Sequence, residues 1–209
     1  MPTSARHKQA WIVAVMIGFS ALVVVTVWLY QSGIYPDNEL VDEHGNVVGR
    51  GYLSESSLHA KRYDDAAKLL ATGENAKAER IYRELVDLEP HRPDAYIGLA
   101  GAQLRQRDLD GARKNYAAAL ELDHTNSQAL YGAGAVERMA GNPQKAKMYY
   151  QKSLFQSPDH VLSHYGMAKV CTELGEKQTA KKHAKRFLEL SPDSSLKQEV
   201  SRILNAPDL

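Results

Sequence analysis

A single cysteine, Cys171, stands in 209 residues. It excludes an intramolecular disulfide and any CxxC or CxxCH motif, so dithiol redox chemistry and covalent haem attachment drop out. An excess of charge of one sign is missing too. Lys plus Arg total 26 against 25 Asp plus Glu, a formal net charge of +1, and no nucleic-acid partner is expected from that balance. There is no glycine-rich phosphate loop, no Ser/His/Asp motif and no carboxylate pair in a plausible cleft, which argues against an enzyme. His160 and His164 are spaced i, i+4, but no third ligand type stands near them, so neither a metal nor another cofactor is expected.

What the chain does have begins with residues 10–30, AWIVAVMIGFSALVVVTVWLY, a run of 21 residues without a charge. As a helix rising about 1.5 Å per residue it would span roughly 31 Å, enough for a hydrocarbon core of about 30 Å. This predicts a transmembrane helix. Trp11 at one end and Trp28, Tyr30 and Tyr35 at the other would sit at headgroup level. A cleavable signal peptide would have a shorter apolar core and a small-residue cleavage site, whereas this run ends in Val27, Trp28, Leu29 and Tyr30. Arg6 and Lys8 precede the run, within the tail at residues 1–9, while Asp37, Glu39, Asp42 and Glu43 follow it. The basic flank predicts a cytoplasmic N-terminus and everything after residue 30 across the membrane, in a bacterium the periplasm. Residues 31–58 then form an acidic tether with Gly33, Pro36, Gly45, Gly49 and Gly51. Leu40-Val41 and Val47-Val48 flank a turn signal at His44-Gly45-Asn46, which leaves a short hairpin as the alternative to a flexible spacer.

From His59 one interval governs the chain. Ala78, Ala112, Ala146 and Ala180 stand 34 residues apart, as do Ala66, Ala100, Gly134 and Ala168, and Val86, Leu120, Leu154 and Leu188. The units run 59–92, 93–126, 127–160 and 161–194, each a helical pattern, a short break and a second helical pattern. The unit is a helical hairpin. Small residues at its eighth and twentieth positions let its helices approach closely, and the Leu/Val column is expected to fill the layer between units. Tyr82, Tyr116 and Tyr150 form a further column that breaks at Ala184. Pro90, Pro158 and Pro192 stop the second helices, with His124 in that place in unit two. Ser195 to Asn205 carries Leu196, Val200, Ile203 and Leu204 at helical spacing and reads as a capping helix, the last element of residues 195–209.

This pattern resembles the tetratricopeptide repeat family, whose 34-residue unit is a helix-turn-helix. The resemblance rests on the small eighth residue, the alanine at twenty, the aromatic at twenty-four and the proline at thirty-two. It departs at position four, where the family favours tryptophan and this chain has Arg62, Tyr96, Leu130 and His164, and at Asp65, which replaces a large apolar residue. The expected fold class is all-α: a transmembrane helix, an α-solenoid of about four such hairpins, and a C-terminal cap.

In that family the first helices line a concave face that binds peptides. Carried over position by position, the resemblance implies a groove walled by Tyr63, Ile97, Tyr131 and Tyr165, with Leu104, Arg105, Arg138, Met139 and Lys169 beside them. Rigid rings with one polar tip anchor peptide segments well, although tyrosine at this position also packs against its neighbours. The Lys and Asn clamp that some members use for chaperone tails is absent, since Tyr63, Ala67, Gly98, Gln128 and Gly132 stand there. A basic cluster, Lys177, Lys181, Lys182, Lys185 and Arg186, is either a solvated face or a contact for anionic lipid or an acidic partner. Cys171 falls at a core-facing place. The expectation is a single-pass inner-membrane protein whose repeats bind a segment of a protein partner, an interaction module or assembly scaffold for envelope biogenesis. Its alternatives are capture of an apocytochrome tail in cytochrome c maturation and a cytosol-facing receptor. Self-association through the repeats stays open.

Overall fold

The computed structural model describes residues 38–41, 47–51, 55–191 and 195–205. The expected transmembrane run, the tail before it, and Pro192 lie outside these residues. Among the described residues no helix is long and apolar enough to cross a membrane. The chain divides into two compact units at Leu58 and His59. In the first, β1 (Asn38–Val41) and β2 (Val47–Gly51) pair antiparallel, with Leu40 opposite Gly49 and a register shift between Leu40 and Val41.

The second unit is helical. Helix α1 (Glu55–Thr72) starts four residues ahead of the 34-residue frame and crosses the division between the two units. Helices α2 (Asn75–Leu88), α3 (Pro93–Arg105), α4 (Leu109–Leu122), α5 (Ser127–Met139), α6 (Pro143–Gln156), α7 (Val161–Glu173) and α8 (Lys177–Leu190) follow. Helix α9 (Lys197–Leu204) closes the order and packs on α7 and α8. Each helix contacts its successor from α2 onward, while α3 also touches α5 and α5 touches α7. That is a stack of antiparallel hairpins.

The breaks inside the hairpins share one backbone device. At position fifteen of the four units Gly73, Arg107, Gly141 and Gly175 adopt φ of 83°, 64°, 80° and 75°. The amide of the next residue reaches back to the carbonyl five earlier, as in Glu74 to Leu69, Asp108 to Gln103, Asn142 to Glu137 and Glu176 to Cys171. These are left-handed helix stops that satisfy orphan carbonyls, and three of them use the residue that adopts this conformation without a Cβ penalty. Prolines act outside the hairpins: α2 and α6 end two residues before Pro90 and Pro158.

The small columns lie where expected. Ala66, Ala78, Ala100, Ala112, Ala146 and Ala168 are fully buried. The Leu/Val column departs from expectation, because Val86, Leu120, Leu154 and Leu188 are only half-buried at the edges of the core. One residue earlier, Leu85, Ala119, Ser153 and Phe187 are the ones sealed from solvent. A turn of 100° per residue decides which of two adjacent positions meets the core. Ser153 is tolerated there because its hydroxyl donates to the Ser127 carbonyl at 2.7 Å and lies 2.7 Å from the Ser163 hydroxyl.

Candidate functional site

The face formed by the first helices is built by a contact between units. The rings of Tyr82, Tyr116 and Tyr150 lie directly on Gly98, Gly132 and Gly166, the sixth residues of the units that follow. A Cβ on Gly166 would stand 2.7 Å from Tyr150 Cζ, and one on Gly134, across the same ring, 2.6 Å from Tyr150 Cε1. Each ring is thus seated on bare backbone. This sets the height of the next row: the Tyr131 ring rests 5.7 Å from Tyr150 and 5.8 Å from His160, and the Tyr165 ring 5.8 Å from Phe187.

The nine residues expected to line the groove separate into three groups. Ile97 is 6% exposed in the core, and half-buried Leu104 packs against the same cluster. Tyr63 stands at the first end, 6.3 Å from Tyr82, with the Arg92 guanidinium 4.4 Å above its ring. Arg105 donates to the Leu70 carbonyl at 2.8 Å. Tyr131, Arg138, Tyr165 and Lys169 are brought together at the other end, with Met139 exposed at the end of α5. There Arg138 donates to Glu173 at 2.9 Å, while Lys169 donates to Glu199 of α9 at 2.7 Å and to the Tyr165 hydroxyl at 3.2 Å. Tyr165 donates to Glu199 at 2.8 Å.

Burial sets the protonation of this cluster. It pushes the Tyr131 phenol up, and the neighbouring Tyr165 adds to the shift. Burial also raises Tyr165, helped by Glu199. The Lys169 and Tyr165 bonds hold the Glu199 carboxyl below its usual range. For Lys169 and Arg138 burial alone would favour the neutral form, but the bonds to Glu199 and Glu173 outweigh it and raise both. The cluster therefore presents neutral phenols and fixed cations at neutral pH, donors suited to backbone carbonyls and carboxylates.

Residues 69–134 match the family model described as tetratricopeptide repeat. Among solved structures, a thermophilic tetratricopeptide repeat protein from Thermus thermophilus superposes with a TM-score of 0.62 at 19% identity, covering 68% of this chain and 79% of that one. PilF of Pseudomonas aeruginosa gives 0.63 at 16%, covering 71% and 67%. Residues 69–134 thus carry the tetratricopeptide repeat pattern, and the helical array has the fold of such repeats. Two curated proteins are also similar in sequence. Protein O-mannosyl-transferase TMTC3 of Homo sapiens is 29% identical over 131 residues, 61% of this chain and 14% of that protein. Protein O-mannosyl-transferase TMTC1 of Mus musculus is 31% identical over 100 residues, 46% of this chain and 11% of that protein. The chain thus spans well under a fifth of the length of these relatives.

Several parts of the helical array escape a reading by columns. The sixth-position glycines were visible as Gly98, Gly132 and Gly166, and their interval of 34 was the signal available. Glu199 carried none, since its partner Lys169 lies 30 residues away in sequence. His160 caps α7, its Nδ1 accepting from the Ser163 amide at 3.2 Å, and His164 bonds His183 rather than His160. Among the described residues no group of three or more His, Cys, Asp or Glu is arranged to hold a metal ion. Cys171 is fully buried as a core residue, and burial pushes its thiol up to about 11.

Proposed function

We propose that the array is a membrane-anchored module that binds a segment of a partner protein along its first-helix face. The observation that carries this is the connected cluster of Tyr131, Arg138, Tyr165 and Lys169, half-buried rings flanked by fixed cations, open to solvent beside Met139. Aromatic and arginine anchors of this kind carry most of the energy in protein interfaces. Glu199 supports the same reading, because a carboxylate already rests on the Tyr165 and Lys169 donors as one from a partner would. The uncharged run at residues 10–30 supports the anchor, and Arg6 and Lys8 before it support a reading with the repeats across an inner membrane, in a bacterial periplasm, serving envelope biogenesis. We assign no catalytic role: the mannosyl-transferase names belong to proteins of which this chain covers 14% or less.

The test uses the full chain in its own membranes with a photoreactive residue at Met139. Irradiation is expected to join one partner segment reproducibly, and the paired substitution Arg138→Ala and Lys169→Ala to lower its yield about tenfold or more. Unchanged yield from a variant of unchanged melting temperature counts against the groove. Protease added to intact spheroplasts is expected to cleave the repeats, and full protection sinks the topology.

A further inference from the structure

The last unit holds a second polar cluster that the peptide face does not use. A cleft of about 350 Å³ is lined by His164 of α7 and by Lys182, His183, Lys185, Arg186 and Glu189 of α8. That volume falls at the small end of the range for ligand pockets, about 300–1,000 Å³. Arg186 is braced by Asp159 at 2.6 Å and Glu189 at 3.0 Å. Among the described residues Lys182 and Lys185 have no ion pair, so the lining keeps uncompensated positive charge.

The two histidines at its wall are in a defined proton arrangement. His164 Nε2 lies 2.9 Å from the Pro158 carbonyl, which can only accept, so that nitrogen carries the proton and Nδ1 is bare. His183 Nδ1 stands 2.9 Å from that bare nitrogen and must be the donor. His183 Nε2 is then left with a free lone pair on a ring that lines the cleft. A proton taken up there keeps the bond to His164 and adds a cation to the lining.

We propose that this cleft binds a phosphate-class oxyanion, held by Lys182, Lys185 and Arg186, and that binding draws a proton onto His183. Tetrahedral oxyanions with several acceptor oxygens match a site of one guanidinium and two ammonium donors. Burial, with His164 and Lys182 nearby, holds His183 down to about 4 when the cleft is empty, so the site waits neutral. A dianion lifts that value by removing the repulsion. The groups around the pair are Lys182, Lys185, Arg186 and Glu189 of α8, His160 at the start of α7 and Asp159 in the turn before it. With the dianion bound, the lifted His183 takes up its proton more readily at lower pH, so affinity for a dianion rises as pH falls. A soluble phosphomonoester and a lipid phosphate headgroup present the same chemistry.

The experiment is a sulfate titration of the full chain, labelled at its histidine nitrogens, in neutral detergent micelles at constant ionic strength against chloride. Sulfate stays a dianion throughout the range. A saturable His183 shift with sulfate alone is expected, tighter at about pH 5.5 than at about pH 7.5, and weakened about tenfold or more by Lys182→Gln with Lys185→Gln. His183→Gln, read through the nitrogens of the adjoining His164, is expected to retain binding and lose its pH dependence. Glycerol phosphate in solution and phosphatidic acid doped into the micelles separate the two sources, and binding to either through the same lysines supports the site. Equal shifts with chloride, or unchanged affinity in the double lysine variant, overturn the oxyanion site. A pH dependence that survives in His183→Gln overturns the coupling to that ring.

Discussion

Two glycines on the same helical face should respond to one substitution in opposite directions. Gly166→Ala places a methyl 2.7 Å from Tyr150 Cζ, and the ring has little room to retreat, because it is 1% exposed and also rests on Gly134. Alanine in place of glycine favours a helix interior by up to about 1 kcal/mol, whereas overpacking a filled site costs about 1–3 kcal/mol. A Cβ contact this short against a sealed ring puts the overpacking cost near the top of that range, so the net expectation is a loss of about 1–2 kcal/mol, or a few degrees in melting temperature for a chain of this size. At Gly101 the same methyl would lie 3.7 Å from the Tyr116 hydroxyl oxygen, an ordinary contact. Gly101→Ala should therefore keep the helical gain and raise stability by about 0.5–1 kcal/mol. Thermal and urea unfolding of the full chain, followed by far-ultraviolet circular dichroism, measure both. A Gly166→Ala variant as stable as its parent, or a destabilised Gly101→Ala, would refute the seating of the rings on backbone.

Arg107 holds φ of 64° where the other three units use glycine, so Arg107→Gly should gain about 0.5–1 kcal/mol, read as a rise in the same midpoint. Burial lowers the pKa of His160, His164 and His183, the last to about 4. The unfolded chain takes up these protons near 6.5, the folded one only at lower pH, so stability falls as pH drops from about 6.5 towards 4, by on the order of 3 kcal/mol for His183 alone. Melting temperatures at pH 7.5, 6 and 4.5 check this, and His183→Gln should flatten the profile. Cys171, with its thiol at about 11, should alkylate about a hundredfold or more slowly than a free cysteine at pH 8 until the array unfolds, as mass spectrometry would show.

The repeat and its helical hairpins were legible in the sequence because buried alanines tolerate almost nothing larger and so keep their interval. The residues sealed between units were not legible, because Leu85, Ala119, Ser153 and Phe187 share burial but no chemistry. Their half-buried neighbours Val86, Leu120, Leu154 and Leu188 look more regular and drew the core assignment. At the candidate site the fifth-position column does not distinguish Tyr131, which is half-buried, from Ile97, which is buried in the core. The bonds of Glu199 to Tyr165 and Lys169 depend on where α9 returns, and helical periodicity says nothing about that. The hairpin of β1 and β2 lay at the margin of what so few residues signal.

The seating of each tyrosine on the next unit's glycine gives the array a direction of growth. Units one to three each end in a ring that needs a successor, and unit four, with Ala184 in that place, needs none and accepts α9 through Phe187 and Val200 instead. A duplicated third unit inserted before unit four would bring both a ring and a seat and should lengthen the stack without a fault. The same unit appended after unit four would arrive with an empty seat and compete with α9 for its ground, so lengthening by duplication is open within the stack and closed at its end.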